Sequence, residues 1–463
     1  MEETLLPTSE RRRSVCSNPG NLIQLILLAV WFSVVILIIS QHKTAGPYGA
    51  ESLVTSRKWT TLPIAATDVG GVVLSLPVTL IARTYGWRFT FMCAGIVGAV
   101  SSGLCALALK FKILPLYLAA SFCLAALNVA GYFIRFAAAE SINATNKAKI
   151  ISVVLVGSAV TGSFGPQLVG LGKSLGPRYS GVYLVMAGLS GFNAVLSLAL
   201  RSSARSSEPT TAAAVATNEI KDNSSTDNDD GDNRDGVNVI GTQKSRFSLG
   251  QTLCFFPRVA AGMCCSASAM YSMLIVMSAT PGAMNGDRYA FGLTATTTTM
   301  QLHIVSMFLP GLISGDLMAR MGRPAAIGVG LLATYSAITV GFLRTDLPGF
   351  VACLVLIGIG WNFTYIGGTK LLIDGYVQAG SSASQVKKLQ GINESVAQAA
   401  AAVGALLAGV VLDSGNGHWK YVMWATVPSV VLASFAIAVL VLSEQCRRRP
   451  VDARPLLTTA EDR

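Results

Sequence analysis

The chain has 463 residues, of which 52% are hydrophobic and only 13% are charged, and its mean hydropathy is +0.54. A soluble protein of this length would carry about twice that share of charged residues, so a soluble globular protein is excluded. The net charge of +11 does not indicate a nucleic-acid partner, because the basic residues lie mostly in short loops and tails and not along one stripe.

Apolar runs of about 20 residues, the length that crosses the hydrocarbon core of a bilayer, recur along the whole chain. They lack the period-two alternation of barrel strands, so each run is predicted to be an α-helix. We predict an all-α membrane protein whose twelve transmembrane helices cover residues 21–40, 59–82, 89–109, 116–138, 150–172, 181–200, 259–279, 293–314, 324–343, 349–372, 389–412 and 421–442.

An even number of helices places both termini on the same side of the membrane. The positive-inside rule favours cytoplasmic termini, since that orientation puts most of the 35 Lys and Arg residues on the cytoplasmic side. Residues 202–248 are rich in Ser, Thr, Asn and Asp, a composition that predicts a disordered cytoplasmic linker. The predicted domains are an N-terminal tail (1–20), a six-helix bundle (21–201), the linker (202–248), a second six-helix bundle (249–442) and a C-terminal tail (443–463).

Two strings resemble known ligand sites, and their spacing rejects both. If Gly231 of the DNDDGD string is aligned with the EF-hand glycine, Thr226 and Val237 stand where an acidic residue and the bidentate Glu are needed. The GKS string resembles the end of a P-loop, but Gln167 stands where the upstream glycine is required. No nucleophile–base or metal constellation is visible in the loops. We therefore expect no enzyme activity, no cofactor and no metal site.

Two short loops, in equivalent positions of the two halves, carry Arg, Gly and Arg in the same order. Predicted helices two and three are joined by IARTYGWRF (81–89), and helices eight and nine by SGDLMARMGRP (314–324). This repeat resembles the loop motif of the major facilitator superfamily, in which a glycine tightens the turn and arginines pair with neighbouring helix ends. The resemblance implies gating or structural roles for Arg83, Arg88, Asp316, Arg320 and Arg323.

Further strings resemble a mainly bacterial, largely uncharacterised permease subgroup of this superfamily, namely GYFIRFAAAES, MQLHIVSMFLPGLISG, GIGWNFTYIGGTKLL and LQGINES. The subgroup usually has Asp where Glu140 and Glu394 stand. The resemblance implies the major facilitator fold, in which two pseudo-symmetric six-helix bundles alternate about a site between them.

Ionisable residues inside transmembrane helices are costly unless they are paired or functional, so they are candidates for the mechanism. Asp68 in helix two and His303 in helix eight lie at similar depths in the two halves, and in this fold those helices meet at the interface. We predict that both take up and release a coupling proton. The alternative is that both are structural contacts between helices. For Arg135 and Glu140 we favour a structural or gating pair over recognition of an anion.

Helices four and ten line the cavity in this fold and supply the substrate-binding candidates. Asn128 with Tyr132, and Asn362 with Tyr365, have spacings that put an amide and a phenol on one helix face, next to Trp361. Such a set suits a planar or hydroxylated ligand. The alternative for each residue is helix packing or a hydrogen bond between helices.

These features predict a secondary transporter, proton-coupled or facilitative, that moves a small organic solute by alternating access. Few charges line the core, which argues against a highly charged solute and favours a planar vitamin-like or drug-like molecule, riboflavin being one candidate. The alternative class is a non-transporting receptor on a transporter scaffold.

Expected partners are the solute, membrane lipids and protons, and the oligomeric state stays open. We expect the plasma membrane, with an endosomal or lysosomal membrane as the alternative because DARPLL (452–457) resembles a di-leucine sorting signal.

Overall fold

The computed structural model describes residues 19–134, 137–138, 157, 160–201, 257–378 and 383–448. Most of these residues are helical, and no strand occurs among them. The helices are α1 (Pro19–Glu51), α2 (Leu62–Phe111), α3 (Leu114–Tyr132), α4 (Gly165–Lys173), α5 (Ser180–Leu198), α6 (Pro257–Asn285), α7 (Gly292–Phe308), α8 (Gly311–Met321), α9 (Arg323–Leu343), α10 (Leu347–Gln378), α11 (Ala383–Ser414) and α12 (Trp419–Arg448).

Within these ranges, eleven helical stretches are long and apolar enough to cross a membrane. The predicted all-α membrane fold is confirmed. Of the remaining predicted helix, residues 150–172, the structure describes residues 157 and 160–172, and α4 covers its C-terminal end. The linker and both predicted tails lie outside the described residues, apart from the start of α1 and the end of α12.

The first helix is longer than predicted, because α1 continues to Glu51 and not only to residue 40. Hydropathy falls at Gln41, His42 and Lys43, which is why the sequence prediction ended the helix there. All three side chains are buried in the protein and do not face lipid, at 0%, 0% and 8% exposure. A polar residue that faces the bundle interior can therefore continue a membrane helix.

The repeated loop motif has the same backbone conformation in both halves. At Gly86, φ is 80° and ψ is 171°, and this single residue turns the chain between the second and third spans within α2. At Gly322, between α8 and α9, φ is 86° and ψ is 156°. A positive φ is accessible to glycine because it has no Cβ. The glycine of each loop therefore makes a one-residue turn.

We expect Gly322→Ala to lower the free energy of unfolding by about 1–2 kcal/mol, because a Cβ at positive φ is strained. Gly328→Ala is the matched control on α9, since a Cβ there would meet open space. Thermal unfolding of both purified variants in detergent would measure the difference. Equal melting temperatures would contradict the prediction.

Each half of the chain has its own hydrophobic core. The N-terminal half, up to residue 201, is centred on Trp31, Phe91 and Tyr117, and the C-terminal half, from residue 257, on Phe350 and Trp419. The start of α2 is shared between the halves, because Ile64 and Ala65 pack into the C-terminal core. The helix α2 therefore lies at the interface between the two halves.

The two halves are joined tightly at the end of the bundle opposite the chain termini. Tyr48 at the end of α1 donates to the carbonyl of Pro281 at 3.3 Å and accepts a hydrogen bond from Asn285. Arg57 lies 3.1 Å from the carboxylate of Asp287. These contacts join α1 and the turn that follows it to the end of α6.

A close backbone approach completes this junction. Gly409 of α11 donates its N–H to Thr61 Oγ1 at 3.2 Å, and a Cβ on Gly409 would lie 2.6 Å from the carbonyl oxygen of Lys58. Only glycine allows α11 to pack this closely against the start of α2. We define the distal seal as Tyr48, Arg57, Lys58 and Thr61 with Pro281, Asn285, Asp287 and Gly409.

Candidate functional site

A buried ion pair joins α1 to α2 in the N-terminal half. The Nζ atom of Lys43 lies 3.1 and 3.3 Å from the two carboxylate oxygens of Asp68, whose exposure is only 3%. Buried charges in a membrane protein are tolerated when they are paired, and this geometry meets that requirement. Asp68 was predicted as a functional residue, but its partner was missed because the predicted first helix ended before Lys43.

A network of neutral polar side chains lies beside this ion pair. The Nε2 atom of His42 is 2.8 Å from Thr67 Oγ1, and its Nδ1 atom is 3.1 Å from the hydroxyl of Tyr183. The Tyr183 hydroxyl lies 2.5 Å from that of Tyr117. This network was not predicted from the sequence, where its signal is a histidine and a lysine at the end of a long apolar run.

In the C-terminal half, the carboxylate of Glu394 lies on α11, the helix that packs against α2 of the other half. Glu394 of α11 accepts a hydrogen bond from the Tyr365 hydroxyl of α10 at 2.6 Å and another from the Gln398 amide at 3.3 Å. Among the described residues, none of the ion pairs within 4.0 Å involves Glu394. The rings of Trp361 and Tyr365 are stacked, with centroids 5.1 Å apart and planes 10° apart. Glu394 is half-buried.

Tyr132 of α3 reaches this carboxylate group from the other half. The hydroxyl of Tyr132 lies near Asn128, Gln398, Glu394 and Asp68, close enough for electrostatic interaction with them. The tyrosine side chain is 36% exposed. We define the central site as Asn128, Tyr132, Trp361, Tyr365, Glu394 and Gln398.

Two predicted residues lie apart from this central site. Asn362 is 2% exposed, and its amide donates to the carbonyl of Met307 in α7 at 2.7 Å. It therefore does not share a face with Tyr365, because one side chain points to α7 and the other to α11. His303 is fully buried, with Nδ1 2.7 Å from the carbonyl of Leu354. Both make the contacts between helices that were the alternative interpretation.

The predicted loop charges have different environments. Arg323 at the start of α9 pairs with Asp374 of α10, with Nε 2.7 Å from one oxygen and an Nη atom 3.3 Å from the other. Asp374 was not predicted. The side chains of Arg88, Asp316 and Arg320 are exposed. Arg135, Glu140 and the side chain of Arg83 lie outside the described residues.

Two helical halves that meet around a central polar site are the architecture of a secondary transporter. The family model of the Major Facilitator Superfamily matches residues 22–386, and the chain belongs to this family. It is thus an integral multi-pass membrane protein.

The relatives of this chain are transporters of the same family. The chain is 29% identical over 385 residues to the riboflavin transporter RfnT of Brucella anthropi, covering 80% of this chain and 84% of that protein. It is 25% identical over 419 residues to the uncharacterized MFS-type transporter YddS of Bacillus subtilis, covering 86% and 85%. Both alignments include most of the two predicted bundles.

Solved structures share the fold at low sequence identity. The nucleoside transporter NupG superposes with a TM-score of 0.60 at 15% identity, covering 90% of this chain and 99% of that one. The E. coli fucose:proton symporter FucP superposes with a TM-score of 0.52 at 13% identity, again covering 90% and 99%. At these identities the likeness extends to the fold alone.

Proposed function

We propose that this protein is a secondary transporter that carries a small planar solute through the central site by alternating access, and that riboflavin is its solute. The observation that carries the proposal is the packing of α11, which holds Glu394 and Gln398, against α2 of the other half, where a Cβ on Gly71 would lie 3.6 Å from the Gln398 side chain. A solute bound at this point touches both halves. Its binding can therefore change how the halves pack, which is the requirement for alternating access.

The chemistry of the central site supports a planar solute. The stacked rings of Trp361 and Tyr365 offer an aromatic face, and aromatic rings prefer such offset-parallel contacts. Glu394 and the amide of Gln398 provide polar contacts at the edge of that face. Riboflavin has a planar ring with an N–H edge and a hydroxylated chain, and a relative of this chain at 29% identity is a riboflavin transporter.

The orientation proposed from the basic residues identifies which side of the membrane each end of the bundle faces. If the termini are cytoplasmic, the distal seal lies at the outer surface of the plasma membrane. Its contacts close the outer end, so the structure corresponds to the state that faces the cytoplasm. Uptake and efflux both remain compatible with this state.

Asp68 is the residue we propose for proton coupling. A proton on Asp68 would neutralise the carboxylate and leave the buried ammonium group of Lys43 without its partner. Because an unpaired buried charge is unfavourable, protonation has to be accompanied by a rearrangement of α1 against α2. His303 is the second candidate, since it is buried and has one ring nitrogen without a partner among the described residues.

The test is uptake of labelled riboflavin into proteoliposomes with and without an inward proton gradient. We expect the wild-type protein to accumulate riboflavin when the gradient is applied. We expect Asp68→Asn, combined with Lys43→Met so that no buried charge is left unpaired, to retain exchange of riboflavin without accumulation. Asp346→Asn is the matched control: this exposed carboxylate lies in the loop before α10, and its hydrogen bond from Arg344 lowers its pKa, so it is charged at neutral pH.

Each alternative gives a different result in the same assay. Accumulation that is unchanged in Asp68→Asn combined with Lys43→Met would assign Asp68 and Lys43 a structural role only. Riboflavin that binds to the purified protein without any flux would contradict transport and favour the receptor alternative.

A further inference from the structure

The carboxylate of Glu394 can accept further hydrogen bonds. A carboxylate offers about four lone-pair directions, and the described residues fill two of them, through Tyr365 and Gln398. Glu394 is half-buried, so its side chain is partly removed from water but still accessible. An acceptor that is held in place by two hydrogen bonds is preorganised for a ligand.

The other carboxylate near the central site cannot serve in this way. Both oxygens of Asp68 are engaged by Lys43, and the side chain is 3% exposed. A solute donor would have to displace the ammonium group and leave it buried without a partner. Of these two carboxylates, Glu394 is therefore the one that is available to a solute.

The neighbouring rings set the direction from which a solute reaches Glu394. The hydroxyl that donates to Glu394 belongs to Tyr365, so the carboxylate lies at the edge of the Trp361–Tyr365 stack. A planar molecule that extends this stack presents its own edge, and not its face, to the carboxylate. Only a donor in the plane of the solute ring can then form a good hydrogen bond.

We infer that Glu394 recognises an in-plane N–H of a planar heteroaromatic solute, such as the imide N–H of a flavin or a pyrimidine. This inference rests on the proposed function, because it identifies the solute class of the same central site. It predicts selectivity at a single atom: replacing that N–H by N–CH₃ removes the donor and puts a methyl group against the carboxylate. A hydrogen bond to a charged group corresponds to roughly 10- to 100-fold in affinity.

The test pairs one atom of the solute with one residue of the protein. Riboflavin and 3-methylriboflavin, and likewise uridine and 3-methyluridine, are titrated against purified wild-type protein and Glu394→Gln, with tryptophan fluorescence as the readout. In the wild type we expect the N–H member of at least one pair to bind about 10-fold or more tightly than its methylated analogue. In Glu394→Gln we expect this ratio to fall to about 3-fold or less.

Two controls separate recognition from general damage to the protein. Glu394→Asp keeps the carboxylate and should keep most of the selectivity for N–H over N–CH₃. Asp346→Asn removes one negative charge from an exposed loop and should leave the ratio unchanged. The ratio is informative even if a variant binds all solutes more weakly, because both members of a pair are measured on the same protein.

The outcomes distinguish this inference from the transport proposal. Equal affinity for both members of each pair in the wild type would overturn the inference. An affinity ratio of N–H to N–CH₃ compound that persists in Glu394→Gln would also overturn it, and so would a failure of both N–H compounds to bind. N–H selectivity that depends on Glu394, in a protein that shows no flux in proteoliposomes, would support the inference while contradicting transport.

Discussion

Replacing Lys43 with methionine should lower the free energy of unfolding by about 3–5 kcal/mol, because Asp68 would remain buried without its cation. Methionine is close to lysine in length, so the loss of charge dominates the change in packing. Thermal unfolding in detergent and the monodisperse fraction in size-exclusion chromatography would measure the effect. It should be among the largest effects of any single substitution in the N-terminal half.

The double variant Lys43→Met with Asp68→Asn supplies the decisive comparison. It removes both charges, so we expect it to recover most of the stability that the single lysine variant loses. Lys420→Met is the matched control, since this lysine is exposed near the start of α12 and its loss should change stability little. If the double variant were as unstable as the single one, the ion pair would not be the cause.

The second large effect is expected at the distal seal. Gly409→Ala would place a Cβ 2.6 Å from the carbonyl oxygen of Lys58 and 2.8 Å from Thr61 Oγ1. Because the first of these atoms is backbone, α11 has to move away from the start of α2, and the seal is weakened. We expect solute flux to fall at least about 10-fold while the protein still folds, since an equilibrium shift of about 1.4 kcal/mol suffices.

Gly391→Ala is the control for this substitution. It lies on the same helix, and a Cβ there would meet nothing within 4 Å. Spin labels at Ser52 and Lys420, both exposed near the distal end, would report the separation of the halves in a background without the nine native cysteines. Unchanged label distances and unchanged flux in Gly409→Ala would show that close packing at this glycine does not control the seal.

The helices and the family were predictable from local sequence. A helix that crosses a bilayer must satisfy its backbone within itself and cover itself with apolar side chains, so its presence can be read from about 20 consecutive residues. The one-residue turns at Gly86 and Gly322 were indicated by the repeated Arg, Gly and Arg motif, because the required backbone conformation depends on one residue.

Four of the six residues of the central site were chosen from the sequence for the same reason. Asn128, Tyr132, Trp361 and Tyr365 are polar or aromatic residues in apolar helices, and they were chosen because the family's fold assigns those helices to the cavity. Asn362 was chosen in the same way, and its amide points to Met307 and not towards Tyr365. Helical spacing gives the approximate direction of a side chain, but the neighbour that it meets depends on how the helices pack.

What the sequence determined by itself was therefore the helical and apolar character of the membrane spans, and the family. The partners of the charged groups were decided by tertiary structure. Lys43 looked like the start of a loop until the packing of α1 against α2 placed it on Asp68. Glu394 became part of a site because α10 and α3, distant in the chain, bring Tyr365 and Tyr132 to it. Hydropathy is a property of each segment alone, whereas the partner of a buried charge is set by the three-dimensional arrangement of all the helices.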